Sequence, residues 1–468
     1  MATPNTHYGV ENIHLMLKTC KSIYFIGIGG INMSSLAHIS RLRGYRVGGS
    51  DREKTALTER LKAEGIEIYY GHRAENMESY DAVVYTVAIS PDNPEYARAL
   101  ERGIPCISRA DYLGYLMLGY DNRIGVSGMH GKSTCTSMCA TVFMEGEGDP
   151  TVLSGAELEA MGGAYRIGHS ENFIFEACEY MDSFLDFNPS TAIILNIELD
   201  HVDYFKDIDQ VCRSYSKFAD ITGKGGRVIA NIDNEYVPTV LEDYEGEVVS
   251  FGVLTKSADY TAINIRYPQG CADFDVMYKG EFVAHVKLSV TGEHNVYNAL
   301  AAFAAAHLSG LDPEKIARGL ARFHGAKRRM EYKGKVNGAL VYDDYGHHPT
   351  EVATTLDGVA KRDDVERLFC VFQPHTYTRT YALMDDFASS FDSVDGVYVA
   401  DIYPARETDD LGISGKTLAI RIGEKAEYIS GFENLAKEIH STLTEGDALV
   451  VMGAGDIYKL FGYLNFDE

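Results

Sequence analysis

A chain of 468 residues, 45% apolar and 24% charged, has the make-up of a soluble globular protein and is long enough for about two to four domains. Its formal net charge of −25 argues against non-specific nucleic-acid binding, so an anionic substrate must be met by local basic groups and metal ions. No apolar run approaches the ~20 residues of a membrane span, the first residues lack a signal-peptide pattern, and eight cysteines without a Cys-x-x-Cys pair read as reduced, structural thiols of a cytoplasmic protein.

Residues 1–110 alternate short apolar runs with helical ones. Strands are predicted at 23–26, 45–47, 66–69 and 82–85, and a helix over 33–42. This is the βαβ rhythm of a doubly wound parallel sheet. The first turn reads Gly27-Ile28-Gly29-Gly30-Ile31-Asn32-Met33-Ser34, with Asp51 beyond the next strand. Glycines there let a pyrophosphate approach the backbone, and an acidic residue about 20 positions on can hold a ribose hydroxyl. Asn32 occupies the third fingerprint position, where Gly or Ala is usual. The motif therefore favours the diphosphate of some nucleotide over NAD, and a glycine turn without a ligand stays open on this motif alone.

Residues 111–320 begin a second α/β unit. A β-type run at 123–127 leads into Gly128-Met129-His130-Gly131-Lys132-Ser133-Thr134, and a helical run follows at 135–145. Glycines let several N–H groups point at one anion, and the helix start adds its positive dipole end. Lys132 can reach β/γ-phosphates, and the Ser133 hydroxyl suits Mg2+. The match to the phosphate-loop pattern is incomplete, because Val126 stands where the leading glycine is usual.

Further strands are predicted at 173–175, 192–195 and 227–230. Glu176 and His201 each follow one, which brings them to the carboxyl ends where ligands gather. Glu179, Asp182, Glu198, Asp200 and Asp203 compete with them. Residues 255–290 alternate like antiparallel strands. An Ala-rich helix over 295–308 follows, preceded by Gly292-Glu293-His294-Asn295, where an asparagine caps or binds.

Residues 321–468 start afresh, with strands predicted at 339–343, 367–372, 396–400 and 448–452. Three polar clusters follow strands: Asp343-Asp344-Tyr345-Gly346-His347-His348-Pro349-Thr350-Glu351, Phe372-Gln373-Pro374-His375-Thr376-Tyr377-Thr378-Arg379, and Gly453-Ala454-Gly455-Asp456. Pro349 suits a first helical turn. Three such clusters imply one rim facing a ligand.

In this order, and over essentially the whole chain, these motifs resemble the Mur ligase family, and the Asp-Asp-Tyr-x-His-His-Pro and Phe-Gln-Pro-His strings resemble its alanine-adding branch. The resemblance implies three α/β domains: a Rossmann-like UDP-substrate domain (1–110), a central phosphate-loop ATPase domain with an antiparallel extension (111–320), and a Rossmann-like C-terminal domain (321–468). It implies ATP-dependent joining of L-alanine to UDP-N-acetylmuramate through an acyl phosphate, without nucleic acid or membrane insertion, by a monomer or homodimer. Gly128, His130, Gly131, Lys132, Ser133 and Thr134 would cradle the phosphates of ATP. Asn295 would contact adenine, Arg329 the phosphates, and Asp344 the ribose. Ser133, Glu176 and His201 would hold Mg2+. Gly29, Gly30, Ser34 and Asp51 would take the UDP part. Tyr345, His347, His348, His375 and Arg379 would form the amino-acid site, and Lys132, Glu176, His201, His347 and His348 would carry catalysis. Lys217 falls near a lysine that other members carry carbamylated, and is given no role here.

Two departures stand out. Met129 replaces the usual Thr, at a position where only the backbone is needed. Thr376 replaces an Arg, removing a bidentate partner for a carboxylate; Arg379 alone, or with Arg406, would have to serve. A relative adding another amino acid or a recycled peptide is thus the alternative. An NAD-dependent oxidoreductase, or a nucleotide-binding regulator without catalysis, would leave the Lys132 loop and the paired histidines unexplained.

Overall fold

Three sheets organise the chain in a computed structural model that describes residues 3–201, 204–405, 407–409 and 411–467. The first sheet contains β1 (Ser22–Ile26), β2 (Arg46–Asp51), β3 (Glu67–Tyr70), β4 (Ala82–Tyr85) and β5 (Cys106–Ser108). Its order is β3-β2-β1-β4-β5, all parallel. β1 and β4 are buried along their whole length, as central parallel strands covered on both faces must be.

The second sheet has ten strands. They are β6 (Asn122–Ser127), β7 (Thr151–Leu158), β8 (Gly163–Arg166), β9 (Asn172–Glu176), β10 (Thr191–Ile194), β11 (Arg227–Asn231), β12 (Glu247–Gly252), β13 (Tyr260–Arg266), β14 (Cys271–Tyr278) and β15 (Glu281–Thr291). The order is β15-β14-β13-β12-β11-β10-β6-β9-β7-β8. It is parallel from β13 to β7 and antiparallel at both ends, where β14–β15 and β8 attach. β6 and β10 are parallel neighbours, and the chain leaves β6 for β7 on one side of the sheet and β10 for β11 on the other. Such a switch point opens a crevice for ligands.

The third sheet, in the order β16-β17-β21-β18-β19-β20, is formed by β16 (Glu331–Val336), β17 (Ala339–Asp344), β18 (Arg367–Phe372), β19 (Gly396–Val399), β20 (Ala426–Tyr428) and β21 (Asp447–Met452). Only β16 is antiparallel. Asp344 on β17 pairs with Met452 on β21, which pairs with Phe372 on β18, so three strands end at one level.

The N-terminal segment straps the first sheet's domain to the second. Thr6 Oγ1 donates to Asp111 at 2.9 Å, His7 Nδ1 meets Asp186 at 2.6 Å, and Asn5 Nδ2 donates to Ser183 at 3.2 Å. Among the described residues no helix is long and apolar enough to cross a membrane.

Candidate functional site

The phosphate loop joins β6 to the helix Lys132–Glu145. Gly131 is its N-cap at φ 82°, and a Cβ there would sit 2.6 Å from Asn298 Oδ1, so both backbone and neighbour require glycine. Asn196, just past β10, clamps the loop: its Oδ1 accepts from His130 N at 2.9 Å and its Nδ2 donates to His130 O at 3.1 Å. Nothing local in the sequence singled Asn196 out. Met129 is buried in the apolar core, consistent with a position that contributes backbone only.

Lys132 Nζ donates to Gly128 O, to Met129 O at 3.2 Å and to both oxygens of Glu179 at 3.1 and 3.0 Å. Burial works against the ammonium, but Glu179 outweighs it and raises the lysine pKa. Glu179, fully buried, also meets His201 Nε2 at 3.2 Å. Burial would raise its pKa, yet Lys132 and His201 hold it below the usual carboxylate value. Glu176 ends β9 beside the loop strand and accepts from Gly155 N and from Ser154 Oγ at 3.3 Å. Ser133 Oγ accepts from Arg329 Nη2 at 3.4 Å.

Glu176 and Glu179 thus both lie near Lys132, and the sequence alone did not rank them. A hydroxyl, carboxylates and an imidazole are donor types a hard dication takes when phosphates and water complete its shell, and here Glu176 is engaged by Ser154 and Gly155 while His201 is engaged by Glu179. Of the other competing acids, Asp182 is spent on Tyr204 (2.6 Å) and Ser214, and Asp203 lies outside the described residues. Lys217 is exposed on the helix Ile208–Ile221.

The level strand ends of the third sheet bring the polar clusters together. His347 and His375 rings lie 5.8 Å apart, and Tyr345 packs 5.5 Å from His347. Burial pushes His347 down to about 3, and burial with Arg379 pushes His375 to about 4, so both imidazoles are neutral near pH 7. Arg379 reaches across to the middle domain: its Nε and Nη2 meet Asp200 Oδ1 at 3.1 and 3.0 Å, and its Nη1 lies 3.2 Å from His375 Nδ1. Despite burial, Arg379 and then His201 hold the Asp200 carboxyl far below its ordinary value. Thr376 caps the short helix that carries Arg379, and Arg406 lies outside the described residues. The third cluster is anchored by Arg328, whose guanidinium donates to Gly453 O and Gly455 O.

A second contact between the two domains centres on His130. Its Nε2 lies 3.3 Å from Glu198, its Nδ1 lies 3.3 Å from Glu351, and its ring lies 4.8 Å from that of His348. Burial would lower the His130 pKa, but Glu198 and Glu351 push it up to about 10. Beside it opens a cavity of about 810 Å³ lined by Thr134, Asn295, Tyr297, Arg329 and Asp344 among others. Asn295 accepts from Asn298 Nδ2 at 3.0 Å and donates to Thr291 O at 2.7 Å. Arg329 lies over the Tyr345 ring, and Asp344 is braced by Met330 N and Gly346 N at 2.8 and 2.7 Å.

The glycine turn of the first domain is separate. Asp51 Oδ2 accepts from Gly29 N at 2.8 Å, and a Cβ on Gly29 would meet that oxygen at 2.7 Å. Gly30 is the N-cap of the helix Ile31–Leu42. Ser34 is fully buried, with its hydroxyl donated to Ile31 O.

Comparison with known proteins accounts for all three parts. Residues 22–121 match the family model "Mur ligase family, catalytic domain", residues 126–306 the "Mur ligase middle domain", and residues 328–455 the "Mur ligase, glutamate ligase domain". The UDP-N-acetylmuramate–L-alanine ligase of Caldanaerobacter subterraneus subsp. tengcongensis is 46% identical over 448 residues, 95% of this chain and 97% of that protein. The enzyme of the same name from Alkaliphilus metalliredigens is 44% identical, covering 94% and 96%. The crystal structure of the UDP-N-acetylmuramate–alanine ligase of Thermotoga maritima superposes with a TM-score of 0.78 at 29% identity, covering 94% of this chain and 98% of that one. A murein peptide ligase from Psychrobacter arcticus follows at 0.70 and 26%, covering 94% and 97%. The lysine-bearing loop at the switch point, the level strand ends facing it and the full-length similarity together identify the chain as a member of the Mur ligase family.

Proposed function

We propose that this protein joins L-alanine to UDP-N-acetylmuramate at the expense of ATP, in peptidoglycan precursor synthesis. The single observation that carries the reading is 46% identity to a UDP-N-acetylmuramate–L-alanine ligase over 95% of the chain. The site chemistry agrees with it. A carboxylate cannot acylate an amine directly. Its oxygen first takes the γ-phosphoryl group, releasing ADP; the neutral amine then attacks the acyl carbon, phosphate leaves, and one proton is lost from nitrogen. The protein's part is to bring two anions together and to neutralise them.

In this reading the loop 128–134 holds the ATP phosphates, with Lys132 exchanging Glu179 for the β/γ-phosphates. The cavity beside Asn295 takes the adenine ring, and Asp344 the ribose. Ser133, Glu176 and His201, with Glu179 alongside, would hold Mg2+, which screens the phosphate charge when bound. Arg379, fixed by Asp200, binds the amino-acid carboxylate, while the neutral His347 and His375 accept from its amine, with Tyr345 and His348 beside them. The first domain takes the uridine diphosphate at its glycine turn through Gly29, Gly30 and Asp51; Ser34 shapes the helix behind the turn.

The test is ATP hydrolysis with UDP-N-acetylmuramate, with and without L-alanine. Alanine-dependent phosphate release is expected, and its absence refutes the assignment. Thr376, in place of the arginine of the alanine-adding branch, supports a second reading in which glycine, L-serine or a recycled peptide is the acceptor. The same assay across those amines decides, and preference for L-alanine removes it.

A further inference from the structure

We propose that His130, Glu198 and His348 form a binding site for a transition-metal dication of the zinc class, bridging the phosphate loop and the C-terminal domain. One ligand atom from each of the three lies within 4.8 Å of the others. His130 Nε2 and Glu198 Oε2 are already 3.3 Å apart, and the ion would take the place of the proton that Nε2 shares with this carboxylate, releasing it to solvent. Ligands about 2.0–2.2 Å from a tetrahedral ion sit roughly 3.4 Å from one another, so no gap needs to close by more than about 1.4 Å. Side-chain rotation supplies that.

Three features point to a ligand here rather than to packing. His348 is 6% exposed, and its Nε2 has no hydrogen-bond partner among the described residues. A buried imidazole nitrogen without a partner is costly in a fold and useful as a ligand. Glu351 lies 3.3 Å from His130 Nδ1, where it would turn Nε2 toward the ion, as carboxylates do behind metal-bound histidines. Two imidazoles and one carboxylate leave a fourth position for water, a donor set suited to zinc, cobalt or nickel rather than magnesium. Among the described residues, the one hydrogen bond to the His348 ring is Nδ1 accepting from Thr350 N at 3.4 Å, at the edge of bonding range.

The site is distinct from the donors around Lys132. His130 and Glu198 belong to the middle domain and His348 to the C-terminal one, so a bound ion ties the phosphate loop to the far wall of the cleft.

The test is Co2+ titration of the whole chain in excess Mg2+, read by visible absorption. The expected result is the intense ligand-field bands of a four-coordinate ion at one equivalent, displaced by Zn2+. His348→Asn keeps a good N-cap for the helix Pro349–Ala360 while removing the ligand, and should weaken Co2+ binding more than about tenfold. Glu198→Gln should do the same, and Glu176→Gln, at the other donor set, should not. Only the weak bands of a six-coordinate ion, affinity unchanged in His348→Asn and Glu198→Gln, or binding lost in Glu176→Gln, would each overturn the proposal. None of these readouts depends on ligase activity, so failure here is separable from failure of the assigned reaction.

Discussion

Asp200→Asn probes the joint between the middle and C-terminal domains. Arg379 and Asp200 are 9% and 6% exposed, and two guanidinium nitrogens meet one carboxylate oxygen at 3.1 and 3.0 Å. At an effective dielectric of about 20, unit charges ~3 Å apart attract by about 5 kcal/mol. An amide oxygen retains a hydrogen bond to the cation worth about 2 kcal/mol, so the substitution should cost about 3 kcal/mol. If Asp200 fixes Arg379 for the amino-acid carboxylate, the loss falls on amino-acid binding. The KM for L-alanine should then rise about a hundredfold while that for ATP changes little. A double-mutant cycle with Arg379→Ala, measured on kcat/KM for L-alanine, isolates the pair. Coupling below about 0.5 kcal/mol, or an unchanged alanine KM, would show that the pair is mere packing.

Lys132→Met should lower kcat by at least about a hundredfold, as loss of a preorganised charge does, with the fold retained by circular dichroism. Gly131→Ala should abolish ATP binding by isothermal calorimetry and lower the melting temperature, since φ is 82° and the new Cβ would meet Asn298 at 2.6 Å. Asp186 supplies a pH test. Burial raises its pKa from 3.8 to about 6, partly offset by His7, so the folded protein holds this proton more tightly than the unfolded chain. Its contribution is complete below pH ~4 and lost as pH rises through ~6. Asp186→Asn should therefore stabilise the protein at pH 8 by up to about 3 kcal/mol and change little at pH 4 in urea unfolding; equal effects at both would refute the sign.

The sheets were legible where strands are buried on both faces. The runs at 82–85 and 367–372 coincide with β4 and β18 because central parallel strands are continuous apolar stretches. β7, β8 and β12 escaped notice: β7 reads Thr-Val-Leu-Ser-Gly-Ala-Glu-Leu, with its second half partly exposed, and alternation there is weak. The phosphate loop announced itself through Gly-Lys-Ser, since that chemistry is local. Glu179 could be named only as one acid among several, because its place against Lys132 depends on the turn at Met181 and Asp182, both at φ 54°. The meeting of His130 with Glu198 and Glu351 depends on how two domains dock, which no single stretch encodes.

Lys132 is already saturated by its own chain, with Glu179 and two backbone carbonyls around it. If the proposed ATP site is right, nucleotide arrival at this lysine is an anion swap rather than a neutralisation. Little net Coulombic gain accompanies it, which keeps the triphosphate from being gripped too firmly. In that reading, Glu179 would reclaim the ammonium as the spent diphosphate leaves.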